Sequence, residues 1–178
     1  MQLVKLVLAS AVLCLGACTH LPSPPAAGFS AQGKVNIRQG NQSDTAQFVW
    51  LASPAQDQLS LSTPFGSVLA ELVLHYQGDT IRLAELNRGT QIDRADDPEA
   101  LLHTLTGLQL PVSGLRWWLR GQARPDTPYE RDGEVLIQNG WRISASDYRS
   151  GTYPYRIELS RADLKVRIMI TEWNTAAP

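Results

Sequence analysis

Cysteine is almost missing from this chain: among 178 residues the thiols are Cys14 and Cys18 alone, both near the N-terminus. A disulfide framework is therefore excluded as the basis of its stability. An excess of charge of either sign is missing too, since the formal net charge is -1, which removes the electrostatic ground for expecting a nucleic-acid partner. No internal stretch approaches the roughly 20 consecutive apolar residues of a membrane-spanning helix. The three histidines, His20, His75 and His103, lack the paired spacing of a zinc site. No Gly-x-Ser-x-Gly elbow is present. Gly28-Phe29-Ser30-Ala31-Gln32-Gly33-Lys34-Val35 comes near a phosphate-binding loop, but the hydroxyl residue after the lysine and a preceding buried strand are both absent. Asp93, Asp96, Asp97 and Glu99 cluster without the glycine and closing glutamate of a calcium loop; capping of a helix start explains them. Nothing argues for an enzyme, a cofactor or a metal.

The N-terminus is what stands out first. Lys5 precedes an apolar run from Leu6 to Leu15, about the length of a signal-peptide core, and Leu15-Gly16-Ala17-Cys18 follows. That tetrapeptide resembles the bacterial lipobox, whose cysteine is acylated and becomes the first mature residue. An ordinary secretory signal, or a short helix kept in the mature chain, is the other reading of the same run. On the lipobox reading, residues 1–17 are a signal peptide and Cys18 is the lipidation site. The Pro-rich segment of residues 18–28 is then a semi-extended tether, and residues 29–178 form one domain. Thr19, rather than aspartate, follows the cysteine, which favours the outer membrane over retention at the inner one.

From Phe29 the chain alternates strictly. Phe29, Ala31, Gly33, Val35 and Ile37 fall on one face, with Ser30, Gln32, Lys34, Asn36 and Arg38 on the other, as in a half-buried antiparallel strand. Further alternating segments run through Phe48 and Trp50, Leu59 and Leu61, Val68 to Tyr76, Ile81 and Leu83, Tyr155 to Leu159 and Leu164 to Ile170. Asn139-Gly140 between Val135-Leu136-Ile137 and Trp141-Arg142-Ile143 predicts a tight hairpin. One region changes period. Asp97-Pro98 reads as an N-cap and first helical residue, with Leu101, Leu102, Leu105 and Leu108 at helical spacing and Gly107 as a stop. A second short helix fits Val112 to Arg120. The expectation is a long antiparallel sheet that curls to protect its edges, with helices across its concave side making an apolar hollow.

Two features bear on function. Thr63-Pro64-Phe65-Gly66 reads as a tight turn, yet its third position holds one of only three phenylalanines in the chain. There are also five tryptophans: Trp50, Trp117, Trp118, Trp141 and Trp173. Each is explained by an ordinary core, and together they also suit the wall of an apolar cavity.

The chain resembles the LolB family of outer-membrane lipoprotein receptors from about Phe29 to Trp173. The likeness rests on Thr63-Pro64-Phe65-Gly66, Leu105-Thr106-Gly107 with Leu110-Pro111, Leu115-Arg116-Trp117-Trp118-Leu119-Arg120-Gly121, Asn139-Gly140-Trp141 and Ile170-Thr171-Glu172-Trp173. It implies an incomplete, half-open antiparallel β-barrel with short helices covering an apolar cavity, in a monomer at the outer membrane facing the periplasm. It implies further that acylated lipoprotein arrives from a soluble periplasmic carrier, LolA, and is passed to outer-membrane lipid. The candidate cavity-lining residues are Phe48, Trp50, Leu61, Leu72, Leu105, Leu115, Trp118 and Trp141. The candidate membrane-insertion loop is Pro64, Phe65 and Gly66, with phenylalanine where the family leads one to expect leucine. The segment from Gly121 to Tyr129 matches the family little. A reading of a different class remains beside it: a structural or assembly lipoprotein that binds a protein partner through the exposed apolar turn.

Overall fold

The alternation that opens at Phe29 continues for the whole of β1 (Phe29–Gln39), and it sets the plan of the molecule. Phe29 and Ala31 are buried while Lys34 and Arg38 face water, so one face of the strand is core from its first residue. The structure, a computed structural model, describes residues 28–125, 127–149 and 151–175. Cys18 and the proposed signal peptide and tether up to residue 27 lie outside the described residues.

Among the described residues β1 is followed by β2 (Gln42–Ala52), β3 (Gln56–Ser62), β4 (Val68–Gln77), β5 (Thr80–Arg88) and β6 (Gln91–Ala95), all antiparallel neighbours in turn. Two helices come next, α1 (Pro98–Thr106) and α2 (Val112–Trp118), and then β7 (Tyr129–Asp132), β8 (Val135–Gln138), β9 (Trp141–Ser146), β10 (Arg156–Arg161) and β11 (Leu164–Thr175). The eleven strands make one sheet in the order β6-β5-β4-β3-β2-β1-β11-β10-β9-β8-β7. Pairing of β1 with β11 joins the two halves at the centre. The free edges are β6 and β7, which do not pair with each other, so the barrel stays half open. The helical insertion lies in sequence between those two edges and covers the gap.

Local chemistry accounts for the turning points. Asn139 and Gly140 both have positive φ, 52° and 76°, as the tight hairpin between β8 and β9 requires. The Asp97 side chain accepts from the Ala100 amide at 2.9 Å, Pro98 opens α1, and Gly107 closes it at φ 72°. At Gly33 the backbones of β1 and β11 approach so closely that a Cβ would lie 2.0 Å from the Met169 carbonyl oxygen. That is where the register between the two strands shifts, and only glycine fits.

The inner face carries two clusters. The larger joins β1, β2, β8 to β11 and α2 around Trp50, Trp118, Ile143, Ile157 and Ile170. The smaller lies under α1, where Leu101 and Leu102 pack on Leu72, Leu74, Ala84 and Leu86. Two edge strands, β6 and β7, were not anticipated from the sequence. Both are short, and β7 is exposed along its whole length, so neither has a buried face to generate a period-2 signal.

Candidate functional site

Between the two clusters the helices do not fill the curve of the sheet. The hollow that remains has a floor of Val35 and Ile37 from β1, Phe48 and Trp50 from β2, Leu59 and Leu61 from β3, and Leu159, Val166 and Ile168 from β10 and β11. Its roof is Leu110, Pro111, Val112, Leu115 and Leu119. Every lining side chain is apolar, so the space offers a bound molecule dispersion contacts and removal of apolar surface from water. Its volume is about 70 Å³, whereas pockets that enclose a small organic ligand run to roughly 300–1,000 Å³.

Of the candidate wall residues, Phe48, Trp50, Leu61 and Leu115 line this hollow, and Leu72, Trp118 and Trp141 do not. Leu72 belongs to the cluster that α1 seals. Trp118 is turned the other way: its indole N–H donates to Gln138 Oε1 at 2.8 Å, and the ring lies against Gly114, where an added Cβ would sit 2.6 Å from it. Trp141 lies beside Trp118 on the far side of α2. Leu105 falls in α1, but its side chain lies outside what the structure describes. Val35, Ile37 and Leu59 are floor residues outside the candidate set. Each stood on an apolar alternation in the sequence, which could have nominated them, whereas aromatic content drew the choice toward tryptophan.

The hollow is closed at one end by a polar cluster. Asp57 lies on the inner face of β3, 1% exposed. Arg116, from α2, donates to it through Nη2 at 2.7 Å and Nε at 3.0 and 3.2 Å, and also donates through Nη2 to the Ser53 carbonyl. The Tyr76 hydroxyl donates to Asp57 Oδ2 at 2.9 Å, and the guanidinium stands 4.0 Å above the Tyr76 ring. Burial pushes the Asp57 carboxyl up, while the bonds from Arg116 and Tyr76 hold it down; burial wins. Burial, with the Asp57 charge beside it, likewise raises the Tyr76 hydroxyl. The signal for Asp57 was in the alternation, which puts it on the same face as Leu59 and Leu61. Gln138, also buried, performs a similar task for the segment after α2: it accepts from the Arg124 amide at 2.8 Å and donates to the Arg124 and Thr127 carbonyls at 2.9 Å each.

The opposite end of β3 runs into the turn. The Gly66 amide donates to the Thr63 carbonyl at 2.9 Å, with Gly66 at φ 88°, and the Thr63 hydroxyl accepts from the Ser67 amide at 3.2 Å. Pro64 and Phe65 are thus the central pair of a closed turn. The Gln47 side chain steadies it by donating to the Pro64 carbonyl at 3.3 Å. Phe65 is 97% exposed, and Val68 and Leu69 beside it are also exposed. Three apolar side chains in water at one tip give a compact apolar wedge, held by the hydrogen bonds of the turn and not by burial. Among the described residues no helix is long and apolar enough to cross a membrane, and no grouping of side chains could hold a metal ion.

A family model described as Outer membrane lipoprotein LolB matches residues 27–173. The chain is 31% identical over 186 residues to a protein of Thiobacillus denitrificans named Outer-membrane lipoprotein LolB, covering 96% of this chain and 97% of the relative. A protein of the same name from Chromobacterium violaceum is 31% identical over 183 residues, covering 95% and 98%. One from Ectopseudomonas mendocina is 36% identical over 155 residues, covering 82% and 74%.

Proposed function

Because the chain belongs to the LolB family of outer-membrane lipoproteins, we propose that it is the lipoprotein receptor of that membrane, taking acylated lipoprotein from a soluble carrier and placing it in the bilayer. The observation that carries this reading is the hollow under α2, whose lining is apolar throughout. Each methylene moved out of water is worth about 0.8 kcal/mol, so an acyl chain set free in the periplasm would lie far uphill of any bound state. A direct passage from carrier to hollow to membrane avoids that state. A passage that is not coupled to a nucleotide requires each step to run downhill in the affinity for the acyl chain.

The present size of the hollow adds a requirement. A whole acyl chain needs more room than about 70 Å³, so loading displaces the roof. Leu110 and Pro111 lead into α2 and have no partner in the sheet ladder, while Arg116 fastens the far part of α2 to β3. Lifting the roof at the Leu110–Leu115 end, with Arg116 as the fixed point, enlarges the hollow without breaking the buried ion pair. Cys18, acylated, would keep the domain at the destination membrane. Phe65, with Val68 and Leu69, supports delivery, since an apolar wedge enters the headgroup and acyl boundary at little cost. The carrier is a soluble periplasmic protein of the LolA kind, and the receptor acts as a monomer.

A lipid-like environment-sensitive dye tests the hollow directly. It should bind at one saturable site and be displaced by a diacylated peptide but not by the same peptide without its acyl chains. Absence of saturable binding would overturn the reading and return the exposed turn to a role in protein docking.

A further inference from the structure

The convex face of the central strands is basic, although the chain as a whole has a formal net charge of -1. Register places its charges in transverse rows. Arg38 of β1 pairs with Lys165 of β11, Lys165 with Ser160 of β10, and Ser160 with Arg142 of β9. The next row runs Asn36, Arg167, Glu158, Ser144. All of these residues line one shallow depression on the outside of the sheet. The carboxylate within it, Glu158, is already taken by Arg156 and Arg167 at 2.8 Å each. Arg142 meets Asp132 at 3.2 Å, with both side chains well exposed. Arg38 and Lys165 form no ion pair among the described residues. The depression therefore presents uncompensated cations flanked by the hydroxyls of Ser144 and Ser160, which is the chemistry that receives phosphate oxygens.

The position of the first row gives it a direction. Ser62, the last residue of β3, pairs with Gln47, and Gln47 pairs with Lys34. The turn that carries Phe65 thus projects beyond the Lys34 level, to the height of Arg38 and Lys165. From β1 to β9 is three strand spacings, roughly 14 Å. A row of cations lies beside an apolar wedge at the same end of the molecule. A surface that meets both at once has an apolar interior below an anionic layer.

We infer that Arg38, Lys165 and Arg142 form an anionic-phospholipid docking rim that sets the domain on the bilayer with the Phe65 wedge pointing inward. This deepens the receptor reading and rests on it. A domain already held at the membrane needs only weak additional contacts, and a cation close to an anionic lipid surface supplies them until salt screens it. Exposed cations on a sheet face tolerate substitution, so the fold is not at stake.

The test uses the mature protein and an Arg38→Gln/Arg142→Gln/Lys165→Gln variant in vesicles of phosphatidylcholine, alone or mixed with phosphatidylglycerol. Amide hydrogen exchange of the unloaded protein is read first. Slower exchange at the β1–β2 and β10–β11 tips on phosphatidylglycerol vesicles, lost in the variant and lost at high salt, is the expected result. Release of labelled lipoprotein is read second, and the advantage of the anionic vesicles should fall roughly tenfold in the variant, with loading from the carrier unchanged. Exchange that ignores lipid charge, or a variant that keeps the advantage, overturns the rim. Impaired loading with intact lipid dependence overturns it in favour of an acidic protein partner. Exchange that depends on lipid charge while no vesicle receives cargo would support the rim and sink the receptor reading.

Discussion

Near its start strand β3 carries Asp57, 1% exposed and bound by Arg116 and Tyr76, and it runs out into a turn held by its own hydrogen bonds whose Phe65 is 97% exposed. The two ends of one strand therefore follow opposite rules. At the first, a charge is taken out of water and every lone pair is answered, because an uncompensated buried charge is costly. At the second, an aromatic ring is left in water, although burial elsewhere in the same sheet would be worth up to about 3 kcal/mol. One end holds α2 to the sheet; the other stabilises nothing in the isolated domain. Where a side chain forgoes stability that the fold could have supplied, the reason lies outside the fold, and the reason proposed here is a membrane.

The contrast can be broken most forcefully at the closed end. Arg116→Ala should lower stability by about 3–5 kcal/mol in a denaturant melt, because Asp57 is left buried without its counter-charge. Replacing the pair together, Asp57→Leu with Arg116→Met, should recover most of that loss. A single variant with near-wild-type stability would show that the pair does not anchor α2. Gln138→Ala leaves the Trp118 indole and the Arg124 amide without acceptors, and about 1–3 kcal/mol should go, with a change in near-ultraviolet circular dichroism as Trp118 loosens. Removal of the helix cap by Asp97→Ala should cost about 1 kcal/mol, read as a lower melting temperature. At the open end, Phe65→Glu should shift stability by no more than about 0.5 kcal/mol; a larger drop would mean that the ring packs on the domain after all.

The same contrast divides what was legible in the sequence from what was not. The central strands, the Asn139-Gly140 hairpin and the Asp97 cap announced themselves, since each depends on near neighbours in the chain. The Thr63–Gly66 turn did so as well, and with it the exposure of Phe65. The closed end was hidden because its members come from three elements, and no local pattern says that Asp57 will meet Arg116. Trp118 and Trp141 were misplaced for a related reason. A tryptophan is apolar enough for a cavity wall, but its N–H usually finds an acceptor when buried, and for Trp118 Gln138 provides one on the far side of α2. The size of the hollow depends on how far α2 sits from the sheet, a distance set by the whole packed set and by no single motif.

The most direct measurement follows labelled lipoprotein through both halves of the cycle in wild type and Phe65→Glu. Each protein is loaded from the carrier without ATP, outer-membrane vesicles are added, and cargo left on the receptor is counted. Loading should be equal, because the hollow is built from other residues. Release should then fail in the variant, since a carboxylate at the tip resists entry into the acyl region that an aromatic ring enters readily. Equal release by the two proteins would contradict the account, as would a wild-type protein that takes up no cargo from the carrier.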